Sequence, residues 1–191
     1  MSLAGIILYV SIFFWIFPAI RQYKGNYFHY FLILALSDPI NIFCVSFIGV
    51  TQGWVHSVAG LLLVYSVGYN NNEFRKYLIH NTVLILVFIS LLLVLPNLRY
   101  LILATHMMIL AKFLKIAFVH LHNNSKLNLF YLALIFYEIT IVINFIDLIT
   151  GISVGITFFY IILAFQILLA IFFTIFREEN PMLNFKLRTS P

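Results

Sequence analysis

The stretch YLILATHMMILAKFLKIAFVHLH, residues 100–122, decides the fold because it is long and apolar enough to cross a bilayer. It nevertheless carries side chains that can bear charge, among them His106, Lys112, Lys115 and His120. Ionisable groups are costly inside a membrane span and usually mark function. At about 100° per residue, His106 and His120 lie within roughly 40° of each other around the helix axis, whereas the two lysines point elsewhere. The helix therefore has two polar edges.

The composition of the whole chain agrees with this interpretation. Hydrophobic residues make up 63% of the 191 residues and charged residues only 9%, whereas soluble domains have about half and about a quarter. The apolar segments are continuous rather than alternating, so they predict helices. Seven spans are predicted, at residues 3–20, 28–50, 54–69, 78–95, 100–121, 129–149 and 153–176. The expected fold class is an all-α integral membrane protein: a compact seven-transmembrane-helix bundle over residues 1–176, followed by a short cytoplasmic tail, residues 177–191.

Basic residues are concentrated after the odd-numbered spans. These residues are Arg21, Lys24, Arg75, Lys76, Lys126, Arg177, Lys186 and Arg188. Only Arg99 falls on the other face, so the positive-inside rule places the N-terminus outside and the C-terminus in the cytoplasm. The formal charge of +5 is then a topology signal, and no nucleic-acid partner is expected. The many Phe, Tyr, Ile and Asn residues are typical of an AT-rich coding sequence, which indicates a bacterial or organellar inner membrane.

Acidic residues inside the predicted spans indicate a polar site. Asp38, Lys112 and Glu138 are expected at comparable depth near the midplane, and Pro39 predicts a kink beside Asp38. A buried lysine would offset one carboxylate and leave the other to bind a cation, exchange a proton or hold a polar solute. As an alternative, Lys112 or Lys115 pairs with Asp38 only to fix two helices together. The candidate substrate-binding residues are Asp38, Asn41, Lys112, Glu138, Asn144 and Asp147.

The histidines suggest a different chemistry. His106 and His120 are fourteen residues apart, which gives about 20 Å of helical rise and would place one haem near each leaflet. For haem b, the candidate partner near the outer leaflet is His56, and the candidate near the inner leaflet is His80 or, alternatively, His29. In spacing alone, this arrangement resembles the ligand pattern of b-type cytochromes. Histidines at membrane interfaces without any ligand are the simpler interpretation.

Catalytic motifs are absent from the sequence. It has no Gly-rich phosphate loop, no HExxH zinc pair and no lysine in the last span that could bind retinal, so no enzyme is predicted. The leading hypothesis is a membrane protein that binds a small solute, ion or proton for transport or sensing, with the lipid bilayer as its other partner. The alternatives are a structural or assembly subunit that contacts other membrane subunits, and a b-type haem electron carrier. The Arg177-Glu178-Glu179 segment of the tail is expected to be solvated.

Overall fold

The computed structural model describes residues 3–67, 78–151 and 155–186. The prediction of a helical chain with seven helices is confirmed in these residues. The helices are α1 (Leu3–Arg21), α2 (Phe28–Phe43), α3 (Gln52–Ser66), α4 (Leu78–Val94), α5 (Arg99–Asn124), α6 (Leu129–Thr150) and α7 (Ile156–Ile175). Some predicted features lie outside the described residues. They are the last residue of the third span, Tyr69, the first residue of the seventh span, Ser153, and the basic residues Arg75, Lys76 and Arg188.

Four helical segments are long and apolar enough to cross a membrane, by length and composition. They are Phe28–Ile48, Arg99–Asn124, Leu129–Thr150 and Thr157–Ile175. Two shorter apolar helical segments are Tyr9–Arg21 and Leu78–Val94. Pro39 lies inside α2, which continues as a π-helical turn over Cys44–Ile48.

Contacts at the helix ends show how several helices are oriented. The start of α5 meets the end of α6, where Arg99 Nη1 donates to the Leu148 carbonyl over 3.0 Å. The end of α3 meets the start of α4, where the Tyr65 hydroxyl donates to the Asn81 carbonyl over 3.2 Å. We call the end at which α1, α5 and α7 finish the basic end, and the opposite end the Arg99 end.

The α3 and α5 helices run parallel and approach closely. Gly53 of α3 lies against Leu98, just before α5, and Gly60 lies against Thr105 further along the same pair. A Cβ atom on Gly60 would come within 2.5 Å of the Thr105 Oγ1 atom, which is tighter than real contacts allow. Glycine is therefore required for this approach, as is common where membrane helices pack through small residues.

Aromatic rings fill the core between α1, α2, α6 and α7. The Trp15 and Tyr137 ring centroids are 4.6 Å apart, and those of Phe31 and Phe173 are 4.9 Å apart. All four side chains are buried. Such pairs contribute about 0.5–1.5 kcal/mol beyond the area they bury, so the core specifies how these helices face one another.

The C-terminal segment is not the solvated end that was expected from its charges. Residues 177–186, here called the C-terminal clasp, fold back across the basic end. Asn184–Lys186 forms a strand, β2, that pairs antiparallel with β1, Lys126–Asn128, in the connection between α5 and α6. Leu183, in the short 3-10 helix Pro181–Leu183, is buried. No sequence pattern predicted this pairing because each strand has only three residues.

Glu178, in the clasp, accepts three hydrogen bonds from other parts of the chain. Its carboxylate accepts from the Tyr131 hydroxyl over 2.5 Å and from Asn26 Nδ2 over 2.9 Å, and its carbonyl accepts from Asn128 Nδ2 over 3.2 Å. Burial, and then the nearby Glu178 carboxylate, raise the pKa of the Tyr27 hydroxyl, which therefore stays neutral. The segment was expected to be solvated. Glu179 is exposed, whereas Glu178 is half-buried and hydrogen-bonded, because its partners come from distant parts of the chain.

Replacing Gly60 by alanine should destabilise the bundle. The G60A variant forces Thr105 away from α3, and overpacking of this kind costs about 1–3 kcal/mol. The midpoint of thermal unfolding in mild detergent should therefore fall. The double variant G60A/T105A lacks the clashing Oγ1 atom. The drop in midpoint from T105A to G60A/T105A should therefore be smaller than the drop from the wild type to G60A. A G60A protein as stable as the wild type would contradict the close approach.

Removing the Glu178 carboxylate should loosen the basic end. The E178A variant leaves Tyr131 and Asn26 without their acceptor, and hydrogen bonds to a charged group contribute about 1.5–3 kcal/mol each. Glu179 is exposed and is the matched control. In E178A, the midpoint of thermal unfolding should fall and proteolysis of the tail should be faster, whereas E179A should behave as the wild type. Equal behaviour of the two variants would show that the Glu178 hydrogen bonds do not stabilise the basic end.

Candidate functional site

A cavity of about 730 Å³, here called the main cavity, lies inside the bundle towards the Arg99 end. Its lining includes charged and polar side chains from several helices: Ser11, Ser37, Asp38, His56, Arg99, His106, Asn144 and Gln166. Thr51 and Gln52, at the rim, are exposed, so the cavity reaches the surface at this end. It extends inward to Trp15 and Tyr137 of the aromatic core. The volume is within the range of small-molecule sites.

A fully buried carboxylate supports one wall of the main cavity. Glu138 on α6 has 0% exposure, and its two oxygens accept hydrogen bonds from different helices. The Tyr30 hydroxyl donates to Oε1 over 2.5 Å, and His106 Nδ1 lies 2.8 Å from Oε2. Because Nδ1 of His106 is engaged with the Glu138 carboxyl group, Nε2 is the ring nitrogen left for another partner. A polar group buried in this way is tolerated only when it is hydrogen-bonded.

Further ionisable groups line the main cavity beside the Glu138 network. His106 shares this cavity with His56 of α3 and Asp38 of α2. Asp38 and His56 are both partly buried. Two imidazoles and one carboxylate therefore line the same space, and a second carboxylate lies behind it. Groups arranged in this way can bind a cation or pass a proton.

Two of the predicted substrate-binding residues, Asp38 and Asn144, line the main cavity. Glu138 lies behind it and reaches it through His106. Asn41 is buried outside the cavity lining, with 7% exposure, and its Oδ1 atom has no partner in the part of the chain that the structure describes. Asp147 is outside the lining too, and its Oδ1 atom likewise has no hydrogen-bond partner among those residues.

The structure separates Lys112 from the carboxylates it was expected to offset. Its Nζ atom donates to the carbonyls of Val64 and Val67 at the end of α3, and its side chain lines a second cavity. The physical reason is that the last carbonyls of a helix lack partners within the helix and attract a nearby cation. His106, rather than a lysine, contacts Glu138.

The four candidate haem ligands do not behave alike. His56 and His106 line the same cavity, whereas His80 lies on the exposed side of α4. The ring nitrogens of His120 contact Asn184 Oδ1 at 3.3 Å and Asn124 Nδ2 at 3.2 Å. Within residues 3–67, 78–151 and 155–186, no three His, Cys, Asp or Glu side chains are grouped as a metal site. Of the expected histidine pairs, His56 and His106 therefore line one cavity, whereas His80 and His120 have separate surroundings.

Tyr30 and Arg99 are site residues that the sequence patterns did not identify. Tyr30 lies on the same face of α2 as Ser37 and Asn41, seven and eleven residues further on, and this helical spacing was an available signal. Arg99 was considered only for topology, yet it lines the main cavity at its exposed end.

No protein-family model, curated protein or solved structure matches this chain.

Replacing Glu138 by glutamine should destabilise the protein. The E138Q amide has one oxygen and one NH2 group in place of two oxygens, so Tyr30 and His106 cannot both donate to it, and the one that faces the NH2 group must accept instead or turn away. An unsatisfied buried group costs about 1–3 kcal/mol, which should lower the midpoint of thermal unfolding. Asp147 is on the same helix, and D147N is the matched control because no partner of its Oδ1 is lost. An E138Q midpoint equal to that of D147N would contradict the buried network.

Proposed function

We propose that all seven helices cross the membrane, with the N-terminus outside and the C-terminus in the cytoplasm of a bacterium or inside an organelle. The ends of α1, α5 and α7 meet at one end of the bundle, which supports an odd number of crossings. The described basic residues at the ends also support the orientation, since Arg21, Lys24, Lys126, Arg177 and Lys186 lie at the basic end and Arg99 at the other. In this topology, the main cavity faces the outside.

We further propose a non-enzymatic function: binding of a small polar solute, an ion or a proton in the main cavity, for transport or sensing. The single observation that carries the proposal is that Asp38, His56 and His106 come from three helices to one cavity of about 730 Å³. Ionisable groups that face a water-accessible cavity inside a bundle mark solute and ion pathways in membrane proteins. Transport is the preferred role.

Within this proposal, the residues have different tasks. Asp38 is the group that binds the ligand's positive charge or exchanges a proton, because the cavity reaches it directly. Glu138 is a positioning residue, since both of its oxygens are occupied by Tyr30 and His106. It holds the His106 ring at the wall of the cavity, which His56 and Asp38 also line. Arg99, at the exposed end, suits a ligand that also has an anionic group.

Replacing Asp38 by asparagine should abolish the activity without loss of the fold. Purified protein in liposomes is tested for proton flux with a trapped pH dye and for uptake of sodium, ammonium, a primary amine and zwitterionic amino acids. Whichever flux the wild type shows should fall at least about tenfold in D38N, since a lost charge-assisted contact costs about 1.5–3 kcal/mol. E179Q makes the same chemical change in the exposed tail and should behave as the wild type.

Binding without flux would favour sensing over transport. In that case, one of the same compounds should raise the midpoint of thermal unfolding of the wild type and of E179Q but not that of D38N. Wild-type flux or stabilisation retained in D38N would contradict the role of Asp38. The absence of both flux and stabilisation for all the compounds tested would contradict the proposal.

A further inference from the structure

A second cavity, of about 540 Å³, lies between the end of α3 and the second half of α5. We call it the basic cavity because Lys112, Lys115 and His120 line it together with Asn123 and Asn124. Among the described residues that line it, none is acidic. Solute binding in the main cavity makes no use of the basic cavity, so the two sites can be tested independently.

Among the described residues, no carboxylate forms an ion pair with Lys112 or Lys115 of the basic cavity. The ion pair within residues 3–67, 78–151 and 155–186 joins His106 to Glu138. Lys112 Nζ donates to the carbonyls of Val64 and Val67, and an ammonium group has a third donor left over. Lys115 is exposed and lies one helical turn further along the same face of α5. Two neighbouring ammonium groups therefore remain available for an anion.

His120 forms a fixed wall of the basic cavity. Asn184 Oδ1 and Asn124 Nδ2 contact its two ring nitrogens and hold the ring in place. Its ring also lies 5.1 Å from that of Tyr131, which lines the cavity and donates to Glu178. The C-terminal clasp thus holds the wall next to the two lysines.

Apolar side chains beside the basic cavity face outward along the same helix. Leu114 is 38% exposed, Phe118 66% and Val119 49%. In a membrane-spanning α5, these side chains contact acyl chains, while the lysines reach towards the headgroups along their flexible stems. Basic pockets between helices near the membrane surface are typical binding places for anionic headgroups.

We propose that the basic cavity binds the phosphate of an anionic phospholipid, with Lys112 and Lys115 as the phosphate-binding groups and with the acyl chains lying along Leu114 and Phe118. The combination of a basic cavity and an adjoining exposed apolar face fits a lipid better than a free anion, which would use only the charges.

The test compares lipid binding by the delipidated protein in non-ionic detergent, measured by native mass spectrometry. Phosphatidylglycerol and phosphatidylcholine of the same chain length are titrated separately. The wild type should bind phosphatidylglycerol at least about tenfold more tightly, because each lysine near a headgroup contributes about fivefold. K115Q should lose about fivefold of this preference. K112Q provides a second, independent variant that should lose a similar amount.

The matched control is K24Q, which removes one exposed positive charge at the same end of the bundle. It should keep the full preference for phosphatidylglycerol. Equal affinity of the wild type for the two lipids would overturn the proposal, as would an equal loss in K24Q and K115Q, which would indicate a general surface charge effect. Displacement of the lipid by millimolar inorganic phosphate, with phosphate bound in its place, would assign the cavity to a free anion instead.

Discussion

Burial of the Glu138 carboxylate is the constraint on which the rest of the structure depends. A charged or polar group at 0% exposure must be hydrogen-bonded, and the two donors come from α2 and α5. Three helices are therefore fixed against one another at this point. The distances in sequence between the partners, 108 residues to Tyr30 and 32 to His106, show that the network ties the first half of the chain to the second.

The same contacts give the main cavity its character. Because His106 is held from behind by Glu138, one of its nitrogens remains for the cavity, where His56 and Asp38 are its neighbours. The close approach of α3 and α5 at Gly60 brings His56 and His106 to the same wall. A polar cavity beside an aromatic core therefore results from two requirements: satisfying a buried charge and packing helices through small residues.

The two ends of the bundle differ in how they are closed. At the basic end, Glu178 of the C-terminal clasp is hydrogen-bonded to the loop between α1 and α2 and to the segment between α5 and α6. At the same end, Gln22 Nε2 donates to the carbonyls of Phe173 and Phe176. At the Arg99 end, exposed residues surround the opening of the main cavity. Local opening is easiest where fewest contacts must break, so access to the interior is favoured at the Arg99 end.

The sequence by itself determined the helical class, the positions of the seven helices, and the presence of ionisable groups within them, because continuous apolar segments leave the backbone no alternative to helix in lipid. It also identified Asp38, Glu138 and His106 as unusual. Only the tertiary structure decided that Glu138 pairs with His106 and Tyr30, that Lys112 caps α3 instead, and that Glu178 is engaged rather than solvated. The physical reason is that helical periodicity fixes the direction of a side chain around its own helix, whereas its partner depends on which helix packs there and at what height.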